Sequence, residues 1–357
     1  MTQMRMRMTN MTKLKLNKKK VLLGLSGGVD STTAALLLME KGFEVTGYYF
    51  DVTGNNIKGR QDAIDTANQL GIELICEDVS DEFNRTVADN FCREYAEGRT
   101  PNPCIICNPT VKFKKLAEHA DSIGAYYIAT GHYSRIDFDE KENLFYVKKA
   151  ANAKKDQSYM LYRLGQDILS RLIFPLGEFS DKASIRELAR EKNMSNAEKE
   201  DSQEICFIDD SEEYAQYIKE KGFNFSEGNF VDKQGKILGR HKGIVYYTVG
   251  QRKGLGIALG KPAFIIKIDS EKNEIVIGDN DDLFTRKVLC KDCFFPGNNQ
   301  SAFNGTDIYA KIRYQAMPAE GMLNVGEDFV SVTFKEPQRA AAPGQSMVFY
   351  DSERVIG

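Results

Sequence analysis

The chain has 357 residues, of which 42% are hydrophobic and 28% are charged, and its formal net charge is −3. This length allows two or three domains, and the composition is typical of a soluble globular protein. The balance of charge excludes a uniformly basic nucleic-acid binder, although a local basic patch is enough to hold RNA phosphates.

No stretch of the chain approaches the roughly 18 consecutive apolar residues that a membrane span needs. The N-terminus lacks the apolar segment of a secretory signal, so we expect a cytoplasmic protein without a membrane partner. Seven cysteines in a chain of this size do not indicate a disulfide scaffold. In a reducing compartment they are spectators, metal ligands or catalytic thiols.

The first twenty residues carry seven Lys or Arg and no Asp or Glu, and we interpret residues 1–19 as a flexible basic arm. After it, short apolar runs alternate with stretches of helical spacing. The strand candidates are residues 21–25, 44–50, 72–79 and 126–130, and the helix candidates are residues 32–40 and 57–70, the second ended by Gly71 as a C-cap. This alternation predicts a parallel sheet with helices on both faces and a ligand site at the carboxyl ends of its strands.

From residue 228 onward, short alternating runs separated by glycine-rich turns predict an all-β half. The runs are residues 244–249, 263–268, 274–277, 308–314, 329–334 and 346–350. The predicted fold is therefore α/β, a Rossmann-like parallel-sheet nucleotide-binding domain followed by a small central β-rich domain and a C-terminal β-barrel. We place these three domains at residues 20–206, 207–283 and 284–357.

The turn after the first predicted strand reads SGGVDS over residues 26–31. Its two glycines allow consecutive backbone N–H groups to point at an anionic oxygen, and the following helix adds the positive end of its dipole. Ser26 and Ser31 can donate to the same oxygens, and Asp30 is a candidate Mg²⁺ ligand on a pyrophosphate. The turn is neither a Walker A loop nor a dinucleotide motif. It resembles the pyrophosphatase loop of enzymes that split ATP between its α and β phosphates.

Two cysteine strings and four shorter strings narrow the function. The cysteine strings are TPNPCIICN at residues 100–108 and DSQEICFI at residues 201–208. The shorter strings are ATGHY at 129–133, KDQSY at 155–159, GQRKGLG at 250–256 and PGQ at 343–345. Taken in this order, they resemble the tRNA-specific 2-thiouridylases, from Val21 to the C-terminus. The resemblance implies a catalytic domain of the adenine nucleotide alpha hydrolase-like type, with ATP and tRNA as substrates.

The resemblance also implies a reaction. ATP adenylates the C2 oxygen of the wobble uridine, so that AMP becomes the leaving group. Cys206 carries a persulfide received from an upstream sulfur-donor protein, and its terminal sulfur is a strong nucleophile. Cys107 then releases the sulfur and leaves a Cys107–Cys206 disulfide that a reductant must reset. The expected tRNAs are those for Lys, Glu and Gln, and we expect a monomer.

Further site positions follow from the same resemblance. The positions that match ATP contacts are Gly24, Leu25, Ser26, Gly27, Gly28, Val29, Asp30, Ser31, Phe50 and Gly131. The positions that match contacts with the target base are Asn102, Pro103 and Cys104, and those that match other tRNA contacts are Lys155, Asp156, Gln157, Arg313 and Tyr314. His132 and Gln345 match positions that are important for binding the tRNA correctly.

Cys104 departs from a common family pattern, because many relatives carry at this position an aspartate proposed as the acid or base. Either another group moves the proton here, or Cys104 acts as a thiolate. An alternative mechanism uses Cys104, Cys107 and Cys206 to hold a [4Fe-4S] cluster with one iron open to hydrosulfide. A zinc site that adds Cys290 and Cys293 is disfavoured, since the two cysteine pairs fall in different predicted domains.

Three rival functions stay open at this point. A small-molecule ligase of the ATP-pyrophosphatase type would use the same loop, but amidation does not need paired thiols. A non-catalytic RNA-binding protein would be recognised by a failure to bind ATP. Thiolation of a tRNA cytidine is opposed by the all-β half, which the short cytidine enzymes lack.

Overall fold

The computed structural model describes residues 16–199, 205–208 and 214–357. Of the expected basic arm, residues 1–15 lie outside the described part, and the first strand begins at Asn17. The described strands are β1 Asn17–Gly24, β2 Glu44–Asp51, β3 Leu74–Asp78, β4 Ala125–Thr130, β5 Arg135–Asp139, β6 Leu144–Lys148, β7 Leu172–Ile173, β8 Gly228–Val231, β9 Ile237–His241, β10 Phe264–Asp269, β11 Glu274–Gly278, β12 Phe284–Cys290, β13 Asp307–Lys311, β14 Ala319–Val325, β15 Val330–Arg339, β16 Val348–Asp351 and β17 Arg354–Val355. The described α-helices are α1 Val29–Glu40, α2 Ile57–Leu70, α3 Ser80–Phe83, α4 Asp89–Ala96, α5 Pro103–Cys107, α6 Phe113–Ser122, α7 Gln166–Leu169, α8 Lys182–Glu191 and α9 Tyr214–Glu220.

The first half is built on a five-stranded sheet in the order β3-β2-β1-β4-β7, and its paired strands all run parallel. Leu22 of β1 packs with Leu116 of α6 in one buried cluster. Its neighbours Val21 and Leu23 pack with Leu38 of α1 in a second cluster. Because successive side chains of a strand point to opposite faces, helices cover both faces of the sheet, as predicted.

Local signals set the ends of the helices in this half. Gly71 adopts a left-handed conformation with φ of 68° directly after α2, which confirms it as the C-cap. At the other end of α2, the Asn56 side chain accepts a hydrogen bond from the Gly59 N–H and satisfies a donor of the first turn. Within the described residues, no helix is both long and apolar enough to cross a membrane.

The central domain contains a four-stranded sheet in the order β10-β11-β8-β9. The expected strands at 263–268 and 274–277 are β10 and β11, but the strand expected at 244–249 is wrong. Residues Ile244–Tyr246 form a 3₁₀ turn. Ile244 packs in the core of the central sheet, whereas Val245 packs in a cluster formed with α3 and α4. Adjacent apolar side chains thus fill two different cores, which a turn allows as readily as a strand.

The C-terminal half forms an eight-stranded sheet in the order β12-β15-β14-β13-β16-β17-β6-β5. The runs expected at 308–314, 329–334 and 346–350 correspond to β13, β15 and β16. The β5–β6 hairpin comes from the first half of the sequence and joins this sheet where Lys148 pairs with Arg354. The Arg354 guanidinium also binds the carboxylates of Asp137 and Asp139 on the hairpin, at 2.6 and 2.8 Å. The hairpin therefore ties the α/β half to this eight-stranded, barrel-type sheet.

Candidate active site

The loop expected to bind phosphate joins β1 to α1. The Ser26 N–H donates to the Ser31 hydroxyl oxygen at 3.3 Å, and that hydroxyl donates to the Gly28 carbonyl at 3.0 Å. Gly27 has φ of 72°, and a Cβ there would lie 2.5 Å from the backbone of Asp62. No side chain caps α1 at Gly28, so the N–H groups of its first turn remain available to an anion.

The other expected ATP positions differ in what they expose. Leu25 and Val29 are buried in the apolar core, so only their backbones face the loop. Gly131 follows β4, and a Cβ there would lie 2.9 Å from backbone atoms of Asp30 and Ser31. Only glycine therefore allows the end of β4 to approach the start of α1 this closely.

The Asp30 carboxylate has two partners that the sequence did not single out. The Tyr133 hydroxyl donates to Oδ1 at 2.7 Å, and Lys182 Nζ donates to Oδ2 at 3.3 Å. No local pattern connects Lys182 to the loop, because it lies 152 residues away in sequence. A single carboxylate fits Mg²⁺ that takes its other ligands from phosphate oxygens and water.

The two cysteines of the first string lie on the short helix α5. The Asn102 side chain caps it by accepting from the Cys104 N–H at 3.1 Å, and Pro103 occupies its first turn. Cys107 is the last residue of α5 and is 8% exposed. A π-helical turn, Asn108–Lys112, follows directly. Such turns occur frequently at functional sites, because they re-aim side chains out of the regular helical register.

Cys206 lies beside both cysteines of α5. Burial, and after it the nearby Cys107 and Cys104, raise the pKa of the Cys206 thiol to about 12, so the three cysteines lie close together. Phe207 anchors this segment, with its ring 5.1 Å from that of Phe83. Although protein atoms surround the Cys206 thiol densely, the residue is exposed at the surface. This exposed surface is what a sulfur-donor protein could reach.

Lys112 is a site residue that sequence reasoning missed. It ends the π-helical turn five residues after Cys107, and its ammonium group lies 5.9 Å from the centre of the Phe50 ring. Burial raises the pKa of the Cys107 thiol, whereas the charge and backbone N–H of Lys112 lower it. The same charge offsets part of the rise in the pKa of Cys206. Regular α-helical spacing would not have placed Lys112 beside Cys107.

His132 sits in an aromatic environment after β4. Its Nδ1 lies 2.7 Å from the Thr130 hydroxyl oxygen, and its ring centre lies 5.8 Å from that of Phe113. Burial and the charge of Lys112 hold the pKa of His132 well below its usual value. The imidazole is therefore neutral at pH 7.

Two other domains contact Thr100, which lies three residues before α5, the cysteine helix. The Gln345 side-chain amide donates to the Thr100 carbonyl at 2.6 Å, and the Thr100 N–H donates to the Pro343 carbonyl at 2.8 Å. From the central domain, the Thr248 hydroxyl lies 3.3 Å from that of Thr100. The barrel-type sheet and the central domain thus both contact the residues that lead into α5.

The KDQ positions form a tight turn that leads into the 3₁₀ turn Ser158–Leu161, which contacts α5. The Asp156 carboxylate accepts from the backbone N–H groups of Ala150 and Ser158 at 3.0 and 3.2 Å. Gln157 pairs with Tyr133 twice, since its side-chain oxygen accepts from the Tyr133 N–H and its own N–H donates to the Tyr133 carbonyl, both at 2.9 Å. Asp156 and Gln157 therefore hold the turn, and a tRNA contact by these side chains remains a prediction.

The remaining expected tRNA positions are Tyr314, Arg313 and Lys155. Tyr314 lies near Asp156 and Cys104, whose charges add to burial in raising its pKa. Arg313 is exposed, and Lys155 is half-buried. The structure thus brings Tyr314, from the second half of the sequence, near Cys104 of α5.

No set of three or more His, Cys, Asp or Glu side chains in the described part of the chain is arranged to hold a metal ion. The Cys104, Cys107 and Cys206 thiols are near one another without forming such a set. Cys290 and Cys293 lie at the end of β12 and just beyond it, and no described group joins them as a metal site.

Three family models match successive parts of the chain. A tRNA methyl transferase HUP domain matches residues 19–210, a tRNA methyl transferase PRC-barrel domain matches residues 215–279, and an aminomethyltransferase beta-barrel domain matches residues 287–357. They agree with the predicted order of an α/β domain, a central β-rich domain and a C-terminal β-barrel.

Curated relatives match over nearly the whole chain. A tRNA-specific 2-thiouridylase MnmA from Clostridioides difficile is 44% identical over 352 residues, covering 95% of this chain and 97% of the relative. A tRNA-specific 2-thiouridylase MnmA 1 from Clostridium botulinum is 46% identical over 356 residues, covering 95% and 98%. Among solved structures, NMN synthetase from Francisella tularensis aligns with a TM-score of 0.34 and 18% identity, covering 52% of this chain and 67% of that one.

Proposed function

The chain belongs to the family of tRNA-specific 2-thiouridylases, and we propose that it replaces the C2 oxygen of the wobble uridine of tRNA with sulfur at the expense of ATP. The observation that carries this proposal is the position of Cys206 beside Cys104 and Cys107, in a domain that also carries the phosphate-type loop of residues 26–31. Identity of 44% over 95% of the chain supports the same activity.

In the first step, the uridine C2 oxygen attacks the α-phosphate of ATP and pyrophosphate leaves. The free N–H groups at the start of α1 and the hydroxyls of Ser26 and Ser31 bind the phosphate oxygens. Asp30 would hold Mg²⁺, which supplies charge neutralisation on the pyrophosphate. The Lys182 ammonium group is bound to Asp30 and therefore adds positive charge on the side of the loop where the phosphates would lie.

In the second step, the terminal sulfur of a Cys206 persulfide attacks C2 and AMP leaves, which produces a uridine–S–S–Cys206 adduct. The Cys107 thiolate then attacks the Cys206 sulfur. The bond between the two adduct sulfurs breaks, 2-thiouridine is released, and a Cys107–Cys206 disulfide forms. A two-electron reductant returns both cysteines to thiols.

Because His132 is neutral at pH 7, it cannot bind a phosphate through a positive charge. It can accept or donate one hydrogen bond, and its ring packs against Phe113. This chemistry suits contact with a base or a ribose better than contact with a phosphate. We keep the proposed role of His132 in tRNA binding on this ground.

The test uses protein purified without oxygen, with iron content and visible absorption recorded. Unmodified tRNA and ATP are added with either an alkyl persulfide, which can pass its outer sulfur to Cys206 without an oxidant, or sulfide, which the iron–sulfur route uses, and 2-thiouridine and AMP are measured. An iron-free protein that thiolates tRNA and loses this activity in Cys206→Ser supports the persulfide route, and Cys293→Ser is the matched control at an exposed cysteine. A brown protein whose activity follows its iron, with Cys104→Ser as damaging as Cys107→Ser, replaces that route with the iron–sulfur mechanism. Failure to thiolate tRNA both with and without bound iron overturns the proposal.

A further inference from the structure

Two lysines that the reaction above does not use lie together where the β5–β6 hairpin meets the barrel-type sheet. Lys149 directly follows β6, and Lys311 is the last residue of β13. The Lys149 ammonium group lies 4.5 Å from the centre of the Tyr350 ring and donates to the Ser352 carbonyl at 2.9 Å. Both lysines are half-buried. Lys149 comes from the first half of the sequence and Lys311 from the second.

Aromatic rings hold the second lysine in place. The Lys311 ammonium group lies 5.7 Å from the centre of the Tyr159 ring and 5.5 Å from that of Tyr314. These two rings are themselves 5.8 Å apart. Cations over ring faces are attracted by the ring quadrupole, so this geometry fixes the ammonium group without neutralising its charge.

The charges around the two lysines do not balance. The single negative charge of Asp156 is shared between both ammonium groups, and its oxygens accept hydrogen bonds from Ala150 and Ser158. Glu353 is also near Lys149, and it is bound to Lys148 at 3.1 Å. Among the residues that the structure describes, no carboxylate forms an ion pair with Lys149 or Lys311.

Partial burial of unpaired positive charge is unfavourable, and it lowers the pKa of both lysines. The two charges also repel each other, since Lys149 contributes to the lowered pKa of Lys311. An anion placed between them would remove both penalties.

The position of this cationic pair indicates which anion it takes. Tyr314, which contacts Lys311, lies close enough to Cys104 for the two groups to interact electrostatically. Cys104 is at the proposed contact with the target base. A nucleotide inserted there carries a phosphate on each side of its ribose, and aromatic faces beside the cations suit stacking of a neighbouring base.

We propose that Lys149 and Lys311 together bind one backbone phosphate of the tRNA next to the target uridine. This inference rests on the proposed function, because it takes tRNA as the substrate. The phosphate would dock the anticodon strand against the hairpin junction, while the cysteines act on the base.

The first measurement is tRNA affinity as a function of salt concentration for Lys149→Gln, Lys311→Gln and the double variant. We expect each single variant to bind tRNA about three- to tenfold more weakly near 0.1 M salt. Each should also reduce the slope of log affinity against log salt by about 0.7–0.9, because one counterion fewer is released. Lys148→Gln and Lys335→Gln are matched controls, since both lysines are already paired with glutamates, and they should leave the slope unchanged.

The second measurement locates the phosphate. In a synthetic anticodon stem-loop, a methylphosphonate on either side of the target uridine removes one charge at a time. We expect one of the two substitutions to weaken binding to the natural protein and to have no further effect on the double variant. Additive losses at both positions would overturn the assignment to this phosphate. Lys149→Arg and Lys311→Arg should retain binding, which separates loss of charge from loss of folding.

Nucleotide phosphates are the other source of this anion. If the double variant raises the KM for ATP and leaves tRNA affinity unchanged, the site binds nucleotide and the inference is overturned. If the protein thiolates tRNA but the double variant has an unchanged salt slope, the inference about the lysines is overturned and the proposed function stands. A protein that binds tRNA through these lysines but makes no 2-thiouridine overturns the proposed function alone.

Discussion

The side-chain amide of Gln345 donates a hydrogen bond to the backbone carbonyl of Thr100, with 2.6 Å between Nε2 and the oxygen. Gly344 supports this contact, because its φ of 88° and the 2.7 Å that would separate a Cβ from the Thr100 nitrogen both require glycine. Thr100 lies two residues before Asn102, which caps the cysteine helix. A residue of the loop between β15 and β16 therefore helps to position the helix that carries Cys104 and Cys107.

This contact predicts that Gln345→Ala reduces kcat/KM for tRNA thiolation about five- to tenfold, the cost of one lost hydrogen bond to a partly buried carbonyl. Gln338→Ala is the control, since the Gln338 side chain donates to the Glu336 carbonyl of its own strand. Steady-state assays and tRNA affinity are measured together. A loss in tRNA affinity with unchanged kcat would assign Gln345 to tRNA binding instead of to positioning.

The proposed order of the two cysteine steps predicts different failures for the Cys206→Ser and Cys107→Ser variants. Cys206→Ser cannot carry the persulfide, so tRNA should be adenylated without gaining sulfur. Cys107→Ser should stop after the attack on C2 and accumulate tRNA bound to Cys206 through a disulfide. Non-reducing gel electrophoresis detects this adduct, and dithiothreitol should release it as 2-thiouridine tRNA. Absence of the adduct in Cys107→Ser, with sulfur transfer intact, would contradict the role of Cys107.

Lys112 lowers the pKa of Cys107, which burial otherwise raises. Lys112→Ala should therefore raise that pKa further, reduce the thiolate fraction at neutral pH and move the pH dependence of Cys107 alkylation upward. Lys112→Arg keeps the charge and should restore most of the natural profile. Iodoacetamide labelling followed by mass spectrometry measures Cys107 separately from the other cysteines. Identical profiles for Lys112→Ala and the natural protein would rule out this electrostatic effect.

Burial also predicts a pH-dependent stability through His132. Its pKa is well below the usual value in the folded protein, whereas in the unfolded chain it is about 6.5. The unfolded state thus binds more protons below about pH 6.5, so the free energy of unfolding decreases as pH falls through that value. His132→Asn should lose less stability than the natural protein between pH 7.5 and pH 5.5 in urea denaturation, both values chosen around that pKa. His241, whose pKa burial also lowers, is present in both proteins, so the difference isolates His132.

Much of the fold and the nucleotide loop could be predicted from residues close together in sequence. The end of α2 at Gly71, the strand–turn–helix around residues 26–31 and the parallel α/β half all follow from glycine conformation and hydrophobic periodicity. Because these signals depend on a few neighbouring residues, they can be recognised in the sequence. The strings around Cys104, Cys107 and Cys206 identified the family, which the comparisons confirmed.

The tertiary structure alone decided which distant residues meet. It joined the β5–β6 hairpin to the last strands of the chain, turned Ile244–Tyr246 away from a strand, and placed Lys112 beside Cys107 through a π-helical turn. It also brought Lys149 to Lys311 and Gln345 to Thr100. Such pairs depend on the path of the whole chain and on which faces are buried, so no local pattern of residues encodes them.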